Sequence, residues 1–355
     1  MENRIEPGEL GLCLVTGAAG LLGSNLVRKL LDEGCRVRAL INRTPLKLEH
    51  ENLECVQGNL CDQASLRAAC QGVDTVFHTA SAIALLGGFA MKKAYRAEAW
   101  RVNVDGTQSV IDLCKEEHVK RLIYTSSVDV CFEGKPLPAM REDLPYAKDV
   151  KCIYSETKVA AEKRVLAANG EGGLLTCAIR PDGIYGAEPN LIIDPVAKQL
   201  AAGNMKARIG DPSVLQDNSH VFNLVHGEIL AACHLVPDGN ACGQAYFIGD
   251  AEPMNSMEFF RPLIEGMDQP FPTTQVPEGL LRAVTATWEA LHFLVGIPEP
   301  FLTPHEVDKV CVTHYGLVEK ARRDLGYEPV ISVKEAMVEI IAYCKARHDR
   351  AASAA

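Results

Sequence analysis

The sequence predicts an α/β fold, a doubly wound, mostly parallel sheet with a smaller C-terminal domain. Three observations predict it. Short runs rich in Val, Ile and Leu alternate with stretches of helical periodicity. A glycine-rich turn, TGAAGLLG, joins the first of those runs to the first helical stretch. From about residue 186 the alternation loosens into Pro- and Gly-rich turns and mixed apolar pieces.

In chain order the strands read as 10–17, 35–41, 53–58, 74–80, 121–127, 174–181 and 244–250. Helices read as 21–33, 63–71, 93–117 and 154–169. Short strands apolar on both faces, each followed by a helix, belong to a parallel sheet covered on two sides. Residues 1–187 are expected to form the first domain, with 220–250 returning to it, and 188–350 to be mainly the second. Near the end, Ser332 and Glu335 form a capping box opening the helix VKEAMVEIIAYCKAR.

Composition removes several classes of function. The 355 residues carry 36 Lys+Arg against 46 Asp+Glu, a formal charge of −10, so a phosphate backbone would meet net repulsion and no nucleic-acid partner is expected. The start, MENRIEPGEL, has no apolar signal core, and the longest apolar stretch, 279–297, is interrupted by Arg282, Glu289 and His292. Thirteen cysteines contain no CxxC pair and ten histidines no HExxH, so no metal is expected and the reading is a cytoplasmic protein with reduced thiols.

The glycine turn carries the first chemistry. Gly17 permits a tight turn, Gly20 leaves room for a pyrophosphate, and Gly23 lets the helix approach the strand. With Ala19, Leu21 and Leu22 they form a Rossmann-type dinucleotide turn, in which the helix N-terminus receives the phosphate. The second strand ends in Ile41-Asn42-Arg43, without the carboxylate that would bind the ribose hydroxyls of NAD. Asn42 and Arg43 suit a 2′-phosphate, which favours NADP over NAD; the bland alternative is that Arg43 is a solvated loop residue. Asn59 and Leu60, after the third strand, stand where an adenine edge is expected.

Tyr154 and Lys158 lie four apart in YSETKVAAEKRVL and share one helix face. A neighbouring ammonium is expected to lower the phenol pKa from about 10, making Tyr154 a usable acid or base. Ser126 and Ser127 end the fifth strand, where ligands of parallel sheets bind. Ser127 is placed on the reacting oxygen; Ser126 is a cap or a cofactor contact, and the two assignments are interchangeable at this level.

TGAAGLLG, the serine pair and YSETK together resemble the extended short-chain dehydrogenases/reductases. His78-Thr79-Ala80, NVDGT (103–107), RPDGIYG (180–186) and LGYEP (325–329) extend the likeness over roughly residues 10–345. YTSSVDV, YSETKVAAEKRVLAANG, LLTCAIRPDGIYG and the stretch 217–255 are similar to the 3β-hydroxysteroid dehydrogenase branch and its bacterial sterol dehydrogenases. The resemblance implies Tyr154 as acid–base, Lys158 as its partner, Ser127 as the carbonyl-binding serine and Asn103 as an asparagine near the lysine. It implies that Pro181, Gly183 and Ile184 line the nicotinamide and that His78 and Ala80 run along the cofactor. Two departures stand out: Ile41 replaces the acid of NAD-using relatives, and Asn59 replaces the usual Asp.

The activity so implied is NAD(P)-dependent interconversion of a steroid C3 alcohol and ketone. Alternatives are a decarboxylating sterol-4-carboxylate 3-dehydrogenase, an NADPH-dependent reductase of long-chain β-keto acids, a nucleotide-sugar epimerase, and a non-catalytic dinucleotide sensor. The epimerase needs a diphosphate clamp, for which only Lys206 and Arg208 offer charge. Segment 81–100 is expected to form one wall of an apolar substrate cleft. Leu280, Leu281, Val284, Trp288, Leu291 and Val295 share a helical face that reads as a second wall, as core, or as a peripheral membrane contact. By analogy with relatives, a homodimer through helices 93–117 and 154–169 is expected.

Overall fold

The computed structural model describes residues 4–83, 93–150, 152–298, 300 and 302–354. The first part of the chain alternates as β1 (Leu12–Thr16), α1 (Leu21–Asp32), β2 (Arg36–Ile41), β3 (Leu53–Gln57), α2 (Gln63–Cys70) and β4 (Thr75–His78). It continues with α3 (Lys93–Trp100), α4 (Gly106–Glu116), β5 (Arg121–Thr125) and α5 (Ile153–Ala167). Leu175–Arg180 and Ala245–Phe247 complete a seven-stranded sheet in the order Ala245–Phe247, Leu175–Arg180, β5, β4, β1, β2, β3. All neighbouring pairs are parallel. Chain order runs outward from β1 in both directions, so a crevice opens beyond the carboxyl ends of β1 and β4.

Alternation along the strands builds two cores. Val15, Phe77 and Ile123 point to one face and pack with Leu26 and Leu30 of α1 and Leu224 and Ile229 of the helix Val221–Cys233. Their neighbours Leu14, Val76 and Leu122 point to the other, against Leu66, Val110 and Val165 of α2, α4 and α5. Burying each such side chain is worth about 1.5–3 kcal/mol, and this fixes the layers on which the crevice stands. Residues 221–247 therefore belong to the sheet layers, as do Ala321, Leu325 and Tyr327. A third core, with Tyr185, Ile193, Leu200, Phe259, Leu263 and Ile340, holds the C-terminal part together. Ser332 and Glu335 exchange their bonds as a capping box, with Ser332 N–H to Glu335 Oε2 at 2.9 Å and Glu335 N–H to Ser332 Oγ at 3.3 Å.

Several expected elements differ, the fifth strand ending at Thr125 and the last spanning only Ala245–Phe247. The single helix over 93–117 is interrupted by a π-helical turn, Arg101–Asp105, because Asn103 turns its amide onto the chain after β4. The fourth strand stops at His78, where Thr79 and Ala80 bend over the glycine turn. The sequence reading also lacks three short parallel pairs: Leu137–Met140 with His314–Gly316, Gly183–Tyr185 with Asn218–His220, and Ala207–Arg208 with Thr274–Gln275. Each joins segments far apart in sequence, so no local pattern announces it. Among the described residues no helix is long and apolar enough to cross a membrane.

Candidate active site

The glycine turn is shaped by contacts that exclude side chains. Gly17 has φ +69°, and a Cβ there would lie 2.9 Å from Ala80 N and Cα. At Gly23 a Cβ would fall 2.2 Å from Gly17 O, so helix and turn touch through backbone. Gly20 differs: an added Cβ would meet only Gly17 O, at 3.3 Å, and otherwise occupy the crevice. As N-cap of α1, Gly20 offers no side-chain cap, leaving the helix dipole and its first N–H groups to an anion. The donor set and the open cradle fit a dinucleotide pyrophosphate.

One cavity of about 1270 Å³ runs from this turn to the C-terminal core. That exceeds the ordinary size of a site for one small molecule and suits a dinucleotide plus a second ligand. Its wall brings together Gly17, Ala19, Gly20, Leu21, Leu22 and Gly23 with Asn42, Arg43, Asn59, Leu60 and Ala80. Pro181, Gly183, Ile184, Ser126, Ser127, Tyr154 and Lys158 line it as well. Asn59 Oδ1 accepts from Cys61 N–H at 2.9 Å, so the residue shapes its own turn as it faces the cavity.

His78 and Asn103 stand behind the wall rather than in it. His78, 1% exposed, bridges Thr16 Oγ1 at 2.8 Å and Thr107 Oγ1 at 2.9 Å; burial first, then the Lys158 charge, holds its pKa down at about 3. It is a neutral tie between β1, β4 and α4. Asn103 accepts from Ala82 N–H at 2.7 Å and donates to Ala82 O at 2.8 Å and Thr157 Oγ1 at 2.9 Å. Its amide fastens the chain after β4 to α5, whereas the Lys158 ammonium donates to Thr125 O.

The hydroxyls and the lysine converge beyond β5. Ser127 Oγ accepts from Asp129 N–H at 3.1 Å and shares the cavity wall with Tyr154. Ser126 Oγ is buried without a partner among the described residues. Lys158 is 2% exposed; its Nζ donates to Thr125 O at 2.7 Å and lies 4.8 Å and 5.6 Å from the ring centres of Tyr124 and Tyr154. Burial lowers Lys158 to about 7, against the pull of Glu162, Glu228 and Asp129.

The phenol corrects an expectation. Its pKa is pushed up rather than down, first by burial and then by the Asp129 carboxylate, with Lys309 and the Ser127 hydroxyl opposing. The ammonium expected to lower it is itself desolvated and bonded to a backbone carbonyl. In this state the Tyr154 phenol holds its proton.

The sequence reading missed a charged cluster beside these hydroxyls. Asp129 meets His305 Nε2 at 3.2 Å and Lys309 Nζ at 3.0 Å, and Lys309 also meets Asp182 at 2.6 Å. His314 Nε2 lies 3.3 Å from Asp182. Burial opposes charging of His305, yet Asp129 lifts it to about 10. Burial also opposes ionisation of Asp129, but Lys309 and His305 hold it well below the usual carboxylate range. The helix Pro304–Cys311 is thereby locked onto the loops after β5 and after Leu175–Arg180. Asp129 and Asp182 stand inside SSVDV and RPDG, the only local signals; their partners are more than 100 positions away.

The far end of the cavity is apolar, with Leu191, Ile192, Val196, Met257, Phe259 and Leu302 in its wall. Of the expected wall over 81–100, Ser81, Ala82, Ile83 and Glu98 line the cavity, and 84–92 lie outside the described residues. Of the stripe 280–295, Leu281 lines the cavity, whereas Leu280, Val284, Trp288, Leu291 and Val295 face outward, with Val295 68% exposed. The stripe is thus neither core nor, for the most part, cavity wall.

Comparison with known proteins agrees with this geometry. The model of the 3-beta hydroxysteroid dehydrogenase/isomerase family matches residues 14–277. The chain is 44% identical over 335 residues to the 3 beta-hydroxysteroid dehydrogenase/Delta 5-->4-isomerase of Mycobacterium tuberculosis, covering 94% of this chain and 90% of that protein. It is 42% identical over 336 residues to the 3-beta-hydroxysteroid dehydrogenase of Mycolicibacterium neoaurum, covering 94% and 92%. Among solved structures, gox2253 superposes with a TM-score of 0.75 at 26% identity, covering 95% of this chain and 98% of that one. The UDP-glucuronic acid 4-epimerase of Bacillus cereus in complex with NAD gives 0.71 at 19% identity, covering 95% and 99%, a likeness of fold alone.

Proposed function

The chain belongs to the 3-beta hydroxysteroid dehydrogenase/isomerase family, and from that premise we propose that it interconverts a steroid C3 secondary alcohol and the corresponding ketone. The observation that carries the reading is the meeting of Ser127, Tyr154 and Lys158 with the glycine turn and an apolar chamber in one cavity. A nicotinamide dinucleotide, when bound, supplies the hydride acceptor or donor. Gly17 to Gly23 would hold its pyrophosphate on the α1 N-terminus, and Pro181, Gly183 and Ile184 would face its nicotinamide.

The steroid oxygen sits between Ser127 Oγ and the Tyr154 phenol. Ser127 donates a hydrogen bond that favours charge developing on that oxygen. Tyr154 gives its proton to the oxygen during ketone reduction and takes the alcohol proton during oxidation. The raised phenol matches the first direction near neutral pH, and oxidation gains as pH rises. Lys158, in its charged form, favours the tyrosinate. His78 and Asn103 position the strands and loop that carry the site.

For the cofactor, Arg43 at the cavity wall and the absence of a carboxylate at Ile41 favour NADP over NAD. The exposed stripe Leu280, Val284, Trp288, Leu291 and Val295 fits contact with a lipid surface from which an apolar substrate is collected.

Absorbance at 340 nm, with NAD and NADP paired against 3β-hydroxysteroids and long-chain β-hydroxy acids, tests the reading. Turnover is expected on the steroids, faster with NADP, with the preference falling in Arg43→Ala. Turnover on the acids alone removes the steroid assignment.

A further inference from the structure

We infer that Glu228, on the helix Val221–Cys233, is a positioning residue that keeps the Lys158 ammonium charged from the opposite face of the sheet. The inference rests on the dehydrogenase reading, because it concerns the lysine of that site.

Thr125 closes β5 and serves both residues. Its carbonyl accepts from Lys158 Nζ at 2.7 Å, and its hydroxyl donates a short hydrogen bond to Glu228 Oε1. Glu228 is completely buried, and its Oε2 has no hydrogen-bond partner among the described residues. A carboxylate in such a place is costly unless a charge answers it, and Lys158 is the cation that acts on it. The influence is mutual: Glu228 favours the ammonium, and Lys158 favours the carboxylate. Burial alone drives both toward their neutral forms, and each ends at about 7.

Other groups around Glu228 are weak competitors. The strand Leu175–Arg180 brings the Cys177 thiol, which Glu228 and burial push up. α1 and the helix Glu319–Leu325 contribute Leu26, Leu30, Ala321 and Leu325 to the shared core. Arg121 lies at the other end of β5 and donates to Leu235 O at 2.9 Å; His220 caps the helix start, and Glu9 is exposed by its end. The remaining carboxylates acting on Lys158 are already engaged, Glu162 with Arg180 and Asp129 with His305 and Lys309. Among the described residues, Glu228 is the one of the three with no other cation.

Replacing it isosterically, Glu228→Gln, removes a negative charge and lowers the Lys158 pKa further. The limb of the kcat/KM profile that reports loss of the ammonium proton should move to lower pH by roughly one unit, the scale of a single buried charge partner. Thr125→Val keeps the carbonyl but removes the hydroxyl, raising Glu228; the limb should move the same way by less. The double variant should match Glu228→Gln.

The second measurement needs neither cofactor nor turnover. Infrared titration of the cofactor-free protein should show a buried carboxylic-acid carbonyl band appearing below about pH 7 that Glu228→Gln abolishes. Lys158→Met should move its midpoint upward, because the answering cation is gone. A band indifferent to Lys158→Met, or no such band in the wild type, overturns the coupling. A lower melting temperature in Glu228→Gln with an unmoved pH limb leaves Glu228 purely structural and overturns it equally. If no steroid is turned over at all, the dehydrogenase reading fails, and the infrared arm still decides whether Glu228 and Lys158 are coupled.

Discussion

Replacing Asp129 by Asn removes one negative charge from the buried cluster without changing its shape. Asp129 is 3% exposed and faces His305 at 3.2 Å and Lys309 at 3.0 Å. Burial opposes a charged His305, and Asp129, with a smaller contribution from Cys152, outweighs it. The His305 pKa of about 10 stands above the unfolded value of about 6.5, so its contribution is fully present below pH 6.5 and is lost as pH rises through 10. At about 1.4 kcal/mol per pH unit this contribution has a ceiling on the order of 5 kcal/mol. Breaking a buried pair by removing one partner typically costs 3–5 kcal/mol, in the same range. Urea unfolding of both proteins from pH 6 to pH 10 is the assay. Wild type should exceed Asp129→Asn by several kcal/mol at pH 6, and the gap should narrow toward pH 10 as His305 loses its proton. A gap constant over that range would refute a charged His305.

Two further outcomes follow from geometry. Gly23→Ala places a methyl 2.2 Å from Gly17 O, and since every nearby atom is backbone, the turn must open. Overpacking of this kind costs about 1–3 kcal/mol, and calorimetry should find dinucleotide binding weakened by tenfold or more. Trp288→Ser with Leu294→Ser strips apolar area from an exposed helix face, on which Leu294 is 75% exposed. Sedimentation with zwitterionic vesicles should show wild type bound and the variant released; equal binding by both would remove the lipid contact.

What the sequence made legible was local. TGAAGLLG marks a strand-to-helix turn because the glycine spacing is itself the geometry, and Tyr154 and Lys158 share a face because four residues make about one helical turn. The parallel sheet covered on both faces followed from two-sided apolar runs alone. The cluster of Asp129, Asp182, His305 and Lys309 was not legible, since its members meet across 127 and 180 positions. Glu228 carries no local signal until the fold places it behind Thr125. The direction of the Tyr154 shift was misjudged for the same reason: spacing shows the neighbouring ammonium, whereas burial of both groups is a property of the assembled crevice. The outward face of the stripe 280–295 likewise depends on which core the helix joins.

The most direct test is Tyr154→Phe, read by steroid turnover and by dinucleotide binding on the same preparation. The ring stays, and only the phenol oxygen that is proposed to carry the proton is removed. Turnover should fall by about 10²–10⁴-fold, the usual worth of general acid–base catalysis, while the dinucleotide Kd changes by no more than about threefold. Turnover near the wild-type rate in that variant would contradict the assignment of the proton to Tyr154, and with it the proposed chemistry.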